Sequence, residues 1–363
     1  MKKLIISAAI LALALSAGSC QRQTGERPNA ENIKVGFIYV GSIHDGGYSY
    51  AHNLGRLAVE EMGIPTLVME NVPANAEAEQ AIRNLIDQGC NVIYTNSFGH
   101  MVYTLKMAQE FPHLIFGHCS GVETEANMSR FFGKIYQARY LAGIAAGYRT
   151  ASNRIGYVAA YPIPEVIRGI NAFALGARSV NPDAVVEVMW TSTWFDPAVE
   201  KQAALELLDR GADVIAQHQD TTAAQIAAEE RGAYAIGYNA PTPDAAPRAY
   251  LTAPLFHWEV FYTDDVQRIL DGTWESRAFW EGLDMGMVSL DALTGLNDPR
   301  AAPAIESAMT RMIDGSFEPF TGPLAGQDDD ERIPDGVRMS DDEIWNMNWF
   351  VQGVIGIIPP VRE

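Results

Sequence analysis

Basic residues are scarce in this chain of 363 residues, which has 26 Lys and Arg against 45 Asp and Glu and a formal net charge of −19. A protein that binds nucleic acid neutralises phosphates with clusters of Lys and Arg. The sequence has no such cluster, so its composition argues against nucleic acid as a partner. The excess of acid favours solubility and does not identify a ligand.

Cysteine is also scarce, with three residues in the chain. Their spacing does not match a zinc site. Cys90 lies at the start of one predicted strand, and Cys119 lies at the end of the next. In a parallel sheet those positions are at opposite edges, which is too far apart for a disulfide. We therefore expect Cys90 and Cys119 to be free and mostly buried.

The usual signatures of catalysis are missing. The sequence has no P-loop, no G-x-S-x-G elbow and no H-E-x-x-H pair, and Gly41, Gly46 and Gly47 do not form a G-x-G-x-x-G fingerprint. His218 and Asp220 are spaced so that they could bind a metal, but isolated histidines at strand ends more often have a structural role. We predict that the chain is not an enzyme and that it needs neither metal nor cofactor.

Only the amino terminus carries a long apolar run. Two lysines precede the run at 4–15, which is too short for a permanent transmembrane helix, and small residues follow it. This pattern predicts a secretory signal peptide over 1–19. Cys20 after small residues resembles the lipidation site of bacterial lipoproteins, although Ala17 stands where Leu is usual. The alternative is ordinary cleavage with Cys20 incidental. Residues 20–32 are polar and predict a tether.

Residues 35–56 read as strand, Gly-rich loop and helix. The strand is apolar and β-branched, which is typical of a buried parallel strand, and the residues from Tyr50 onward have helical spacing. Asp45 is a suitable N-cap for that helix. Open α/β sheets bind their ligands at the carboxyl ends of the strands, so Asp45 and Tyr48 would lie at the mouth of a cleft. The alternative is that Asp45 only caps and Tyr48 only packs.

The pattern of strand and helix then repeats. Residues 155–163 (IGYVAAYPI) resemble 35–43 (VGFIYVGSI), and residues 207–215 (LLDRGADVI) resemble 85–93 (LIDQGCNVI). Strict β-α alternation implies parallel, doubly wound sheets, and the internal repeat implies two similar α/β lobes with a hinge between them. We assign 33–148 plus about 258–300 to the first lobe and 149–257 plus about 301–363 to the second.

The repeat also indicates where a ligand would bind. Ser97 and Phe98 in the first half correspond to Gln219 and Asp220 in the second, and both pairs follow a strand. A cleft between the lobes would bring these edges together. Aromatic residues flanked by carboxylates and amides suit a flat ligand with donor groups on its rim. The aromatic residues at the predicted cleft edges are Tyr48, Phe98, Trp194, Phe195, Tyr238 and Trp258. For any one of them, core packing is an equal alternative.

The chain resembles the basic membrane protein family of solute-binding lipoproteins, which supply ABC importers with nucleosides and related purines. The resemblance spans the mature chain and rests on GSIHDGGYSYAHNLGR, TNSFGHM, RYLAGIAAG, WFDPAVEKQAALELLDRGADVIAQHQD, YAIGYN, DGTW and MNWFVQGVIG. It implies a type I periplasmic-binding fold. The cleft residues it implies are Asp45, Tyr48, Phe98, Trp194, Asp220, Asn239 and Trp258. Tyr48 replaces a frequent Trp, and Asn239 lies where a carboxylate is usual.

The resemblance therefore predicts a monomeric, extracytoplasmic receptor anchored to the membrane through a lipid on Cys20. The receptor would capture a purine base or nucleoside, close by hinge motion and deliver the ligand to an ABC permease and its ATPase subunits. Three alternatives remain at this stage. The same fold could hold a sugar, an amino acid or another flat heterocycle. The chain could be a nucleoside hydrolase, or it could serve a sensor instead of a transporter.

Overall fold

The computed structural model describes residues 25–360. The predicted signal peptide, Cys20 and the start of the tether lie outside the described residues. None of the helices within 25–360 combines the length and the apolar character needed to span a membrane. In the same range, His, Cys, Asp and Glu nowhere form a group of three or more that could hold a metal ion.

The first half of the chain alternates strands and helices, as its sequence pattern predicts. Its elements are β1 (Val35–Ile38), α1 (Tyr48–Glu61), β2 (Thr66–Met69), α2 (Glu77–Asp87), β3 (Val92–Thr95), α3 (Met101–Glu110), β4 (Ile115–Cys119), β5 (Met128–Gly133) and α4 (Ile135–Arg149). All residues of β1, β3 and β4 are buried, because helices cover both faces of a doubly wound sheet.

The second half repeats this alternation. Its elements are β6 (Arg154–Ala159), α5 (Pro164–Val180), β7 (Val185–Trp190), α6 (Pro197–Asp209), β8 (Val214–His218), α7 (Ala223–Glu230), β9 (Tyr234–Ile236) and β10 (Tyr250–Thr252). Helix α6 begins with Pro197 after the N-cap Asp196, whose carboxylate accepts the backbone N–H groups of Ala198 and Val199. An Asp at the N-cap and a Pro at the first helical position both favour the start of a helix.

The remainder of the chain is less regular and returns to both halves. Its elements are β11 (Pro254–Phe256), α8 (Trp258–Leu270), β12 (Ala278–Glu281), β13 (Val288–Leu290), α9 (Ala301–Ile313), β14 (Leu324–Ala325), β15 (Glu331–Ile333), α10 (Asp341–Trp345) and β16 (Val354–Ile355). Strands β11 and β13 pair antiparallel, as do β14 and β15.

Two six-stranded parallel sheets form the two lobes. The first has the order β12-β5-β4-β3-β1-β2 and the second β10-β9-β8-β6-β7-β16. The internal repeat is visible here, since β3-β1-β2 and β8-β6-β7 occupy equivalent positions. Strand β12 joins the first sheet beside β5, and β16 joins the second beside β7, so the chain crosses between the lobes more than once. The predicted fold class is confirmed, whereas the predicted lobe ranges stay a prediction.

The helices that follow β5 and β6 pack backbone to backbone. A methyl group added at Gly143 of α4 would lie 2.1 Å from the carbonyl oxygen of Phe173, and one added at Gly176 of α5 would lie 2.0 Å from that of Tyr140. Only glycine permits so close an approach. Helix α4 is therefore fixed against α5 of the second sheet.

Cys90 and Cys119 are both free and buried, which confirms the prediction for these two residues. The structure also explains why they do not pair. Cys90 precedes β3, and Cys119 ends the neighbouring strand β4. The register places Val92 opposite Ile115 and Thr95 opposite His118, so the two thiols lie at opposite ends of the strand pair.

Candidate functional site

A narrow cavity lies between the carboxyl edges of the two sheets. The first lobe contributes Val40, Tyr48, Asn96, Ser97, Phe98 and Ser120, and the second contributes Glu165, Trp194, His218, Asp220 and Tyr238. Each of these residues lies at the carboxyl end of a parallel strand, in the segment that follows it or at the start of the next helix.

Four of the seven predicted site residues line this cavity: Tyr48, Phe98, Trp194 and Asp220. Phe98 is 41% exposed, and Trp194 is half-buried beside Tyr161. Phe98 follows β3 of the first sheet and Trp194 follows β7 of the second, so both lobes contribute aromatic side chains to the lining.

Asp45 lies outside the cavity lining and holds the loop that carries Tyr48. Its carboxylate accepts the backbone N–H groups of Gly47, Ser49 and Tyr50 at 2.8, 2.9 and 3.0 Å. The N-cap position itself belongs to Gly47, two residues after the predicted one. Asp45 nevertheless satisfies the donors at the helix start that would otherwise lack partners. Burial raises the pKa of Asp45, and these hydrogen bonds oppose the rise.

Asn239 supports the cavity from behind Asp220. It is 1% exposed, and its Nδ2 donates to Asp220 Oδ1 at 3.2 Å. Its φ of 69° lies in the left-handed region, which Asn adopts more readily than most residues. Asn239 therefore orients the Asp220 carboxylate that lines the cavity.

Trp258 is a core residue. It is fully buried and lies between the rings of His52 and Phe256, with centroid separations of 4.0 and 4.4 Å in stacked geometry. Its indole meets the Tyr48 ring edge-on at 6.0 Å. Trp258 therefore forms the layer beneath Tyr48 and does not belong to the cavity lining.

Tyr48 is fixed at its polar end. Its hydroxyl donates to the carbonyl oxygen of Asn96 at 2.6 Å and lies 3.2 Å from Cys119 Sγ. Burial raises the pKa of Tyr48 well above its usual range, so the hydroxyl stays protonated. With its hydroxyl engaged, Tyr48 offers mainly its ring to the cavity.

Sequence reasoning missed Asn96 and Glu165 as site residues. Asn96 directly precedes the Ser97-Phe98 pair after β3, and Glu165 is the second residue of α5, which follows β6. Both occupy the carboxyl edge where ligands bind in such sheets, so their position was the available signal. His218 was considered as a metal ligand, and Tyr238 was placed among the cleft aromatics.

The second lobe carries a hydrogen-bonded group of titratable side chains. His218 Nε2 lies 3.0 Å from the Tyr238 hydroxyl and 3.4 Å from Glu165 Oε1. Burial, together with the charge of Arg139, lowers the pKa of His218 to about 4, so the ring is neutral near pH 7. His218 therefore contributes a hydrogen-bonding ring and no positive charge.

Asp220 lies in an unusually acidic environment. Burial raises its pKa well above the usual range, and the nearby carboxylates of Asp45, Glu200 and Glu165 raise it further. Among the described residues, none of those that line the cavity is Lys or Arg, although the Arg139 guanidinium packs on the Tyr238 ring at 3.7 Å. A ligand with N–H or O–H donors would relieve this arrangement, because a buried carboxylate needs donors to compensate its lost hydration.

The two lobes touch at the cavity rim. A methyl group built on Gly47, which precedes α1, would lie 2.5 Å from the carbonyl oxygen of Asp220, which follows β8. The backbones of the two lobes are thus in direct contact at this point. The structure represents the lobes closed upon each other.

Comparisons with known proteins agree with this geometry. A family model described as "ABC transporter substrate-binding protein PnrA-like" matches residues 32–313. A purine-binding protein of Brucella abortus (strain 2308) is 40% identical over 332 residues, covering 91% of this chain and 95% of that protein. A protein of Haloferax volcanii named as an ABC transporter glucose-binding protein is 36% identical over 347 residues, covering 95% of this chain and 86% of that protein.

The fold is also shared with solved structures. A solute-binding protein of an ABC transporter system from Aeropyrum pernix K1 has a TM-score of 0.70 at 19% identity, and the match covers 79% of this chain and 92% of that one. At this identity the likeness concerns the fold alone.

Proposed function

Since the chain belongs to the family of PnrA-like ABC transporter substrate-binding proteins, we propose that it captures a purine base or purine nucleoside in the cavity between its lobes. The predicted family is confirmed, and so is the prediction that the chain is not an enzyme, because this is a family of solute-binding proteins. The observation that carries the proposed ligand is that Phe98 and Trp194, from different lobes, both line one narrow cavity.

Stacking would supply much of the affinity. A purine ring between Phe98 and Trp194 would contact one aromatic side chain from each lobe, with Tyr48 as a third ring at the edge. Base–aromatic stacking contributes about 1–3 kcal/mol per base. The 40% identical relative named as a purine-binding protein supports this class of ligand.

Hydrogen bonds would select among flat ligands. Asp220 and Glu165 accept from N–H or O–H groups, whereas Asn96 can donate. A purine has both ring acceptors and exocyclic groups, so it can meet both kinds of partner. A ligand that contacts both lobes binds the closed state better than the open one and shifts the population toward closure.

Substrate-binding proteins of ABC importers work outside the cytoplasm and deliver a small molecule to permease and ATPase subunits. We further propose that this chain is a monomer held at the membrane by a lipid on Cys20. Mass spectrometry of the protein purified from membranes tests this anchor. Replacement of Cys20 by Ser should release the protein into the soluble extracytoplasmic fraction, and retention at the membrane would contradict the anchor.

A sugar is the second candidate ligand, because the 36% identical relative is named as a glucose-binding protein. Sugar sites also use aromatic faces together with Asp and Asn side chains. The distinguishing feature is the pattern of stacking, since a purine would contact both Phe98 and Trp194 through its two faces.

A thermal-shift screen of protein lacking residues 1–20 tests the proposal. The panel contains purine and pyrimidine bases, their nucleosides, glucose and other sugars, and amino acids. A ligand that binds only the folded state raises the melting temperature by mass action. We expect shifts with adenine, guanine or their nucleosides. Shifts confined to sugars would replace the purine proposal with the second candidate.

A further inference from the structure

One buried amide in the cavity has an unused donor. Asn96 follows β3 directly, lines the cavity and is 1% exposed. Among the residues that the structure describes, its Nδ2 has no hydrogen-bond partner. Folded proteins satisfy the large majority of their buried donors. An unused buried donor on a residue that lines the cavity therefore indicates a ligand atom that accepts from it.

The orientation of this amide is fixed at its other end. The backbone N–H of Val40 donates to Asn96 Oδ1 at 2.9 Å. A backbone N–H cannot accept, so the oxygen of the amide must face Val40 and the nitrogen must point elsewhere. The carbonyl oxygen of Asn96 already accepts the Tyr48 hydroxyl at 2.6 Å. Asn96 thus has donors left for a ligand and an acceptor that is already occupied.

The second lobe contributes hydrogen-bond acceptors to the cavity. Glu165 and Asp220 line the cavity there, and their carboxyl oxygens accept hydrogen bonds. A ligand that bridges the lobes must direct an acceptor toward Asn96 and donors toward Glu165 or Asp220. Adenine has this character, because its ring nitrogens accept and its amino group donates.

We propose that Asn96 is a specificity-determining residue whose Nδ2 donates to an unprotonated ring nitrogen of an adenine-type ligand. This inference rests on the proposed function. The arrangement favours adenine over hypoxanthine. Hypoxanthine has a carbonyl in place of the amino group and an N–H in place of the bare N1, so it offers the second lobe fewer N–H hydrogens and offers Asn96 fewer ring acceptors.

The test uses Asn96→Asp, which keeps an oxygen for the Val40 N–H and replaces the donor with a carboxylate oxygen of similar size. Isothermal titration calorimetry measures adenine and its 1-deaza, 3-deaza and 7-deaza analogues, each of which replaces one ring nitrogen with C–H. In the wild type, the analogue that lacks the contacted nitrogen should bind about 10- to 100-fold more weakly than adenine. In Asn96→Asp, that analogue should bind at least as tightly as adenine, because the lone pair facing the carboxylate is gone.

Asn75→Asp is a matched control. Asn75 is exposed, and its Oδ1 also accepts a backbone N–H, that of Glu77 at 2.8 Å. This variant should bind all four compounds as the wild type does. If Asn96→Asp does not fold, Asn96→Ala gives a second measurement, in which the affinities of adenine and the discriminating analogue become equal.

The outcomes separate the two proposals. Equal adenine-to-analogue ratios in the wild type and the Asn96 variants would overturn the role of Asn96 and leave the proposed function intact. A wild type that prefers hypoxanthine to adenine would overturn the adenine-type selection. Failure of the wild type to bind any purine base or nucleoside would overturn the proposed function itself.

Discussion

The contact between Gly47 and Asp220 makes closure of the lobes testable by a single methyl group. A Cβ at position 47 would lie 2.5 Å from the carbonyl oxygen of Asp220 and 3.0 Å from two further backbone atoms of that residue. Ordinary contacts begin near 3.4 Å, so Gly47→Ala requires the lobes to stay apart by about 0.9 Å, the difference between 3.4 and 2.5 Å. Backbone on the opposing side cannot rotate away as a side chain could.

The expected cost follows from what such a gap does to a stacked ligand. A radial gap of about 0.5–1 Å forfeits a quarter to a half of a dispersion contact. Stacking contributes about 1–3 kcal/mol per base, and hydrogen bonds that bridge the lobes would stretch as well. We expect Gly47→Ala to lose about 1–2 kcal/mol of binding free energy, which is about 5- to 30-fold in affinity.

Calorimetric titration with the tightest ligand of the thermal-shift screen measures this loss. The unliganded protein can open, so its melting temperature should change by no more than about 2 °C. Gly295→Ala is the matched control, since a methyl group there meets no atom within 4 Å, and it should bind as the wild type does. An affinity of Gly47→Ala equal to that of the wild type would refute the idea that this contact belongs to the ligand-bound state.

Four further predictions concern single side chains. Trp194→Ala should weaken binding by about 1–3 kcal/mol in calorimetric titration, whereas Trp258→Ala should lower the free energy of unfolding in urea by about 3–5 kcal/mol because its side chain is fully buried. Asp220→Asn should change the ranking of adenine and hypoxanthine, and an unchanged ranking would remove Asp220 from ligand selection. Burial lowers the pKa of His218 to about 4, below the value of about 6.5 in an unfolded chain, so its contribution to stability is lost as the pH falls from about 6.5 toward 4. Between pH 7 and pH 4, the free energy of unfolding of His218→Gln in urea should therefore fall by up to about 3 kcal/mol less than that of the wild type. Equal falls in the two proteins would contradict this.

The sequence predicts the sheets well because their signals are local and repeated. Buried parallel strands are short apolar runs, and the resemblance of 85–93 to 207–215 appears in the structure as the equivalent strands β3 and β8. Cavity-lining residues that follow such strands are predictable for the same reason. The sequence predicts Phe98 and Asp220 at these positions, and both line the cavity.

The choice among neighbouring side chains is harder, since it depends on where each one points. Trp258 follows β11 as Phe98 follows β3, yet its indole is stacked between two rings in the core. An aromatic residue at a strand end is compatible with a position in the core and with a position in the cavity lining. Only the packing of its side chain distinguishes the two. Asn96 is hard to predict for the converse reason. Its proposed role depends on the Val40 N–H that fixes the amide oxygen, and that contact joins residues 56 positions apart in the chain.

The charge of the cavity narrows the ligand class further than its shape does. Glu165 and Asp220 contribute carboxyl groups to the lining, and within residues 25–360 the lining includes no Lys or Arg. Bringing a phosphate into this closed space would add negative charge at low effective dielectric, where repulsion between like charges is strong and screening by salt is weak. A neutral ligand rich in N–H and O–H donors instead supplies the hydrogen bonds that buried carboxylates require. On the proposed function, we therefore expect the cavity to bind free bases and nucleosides more tightly than nucleotides.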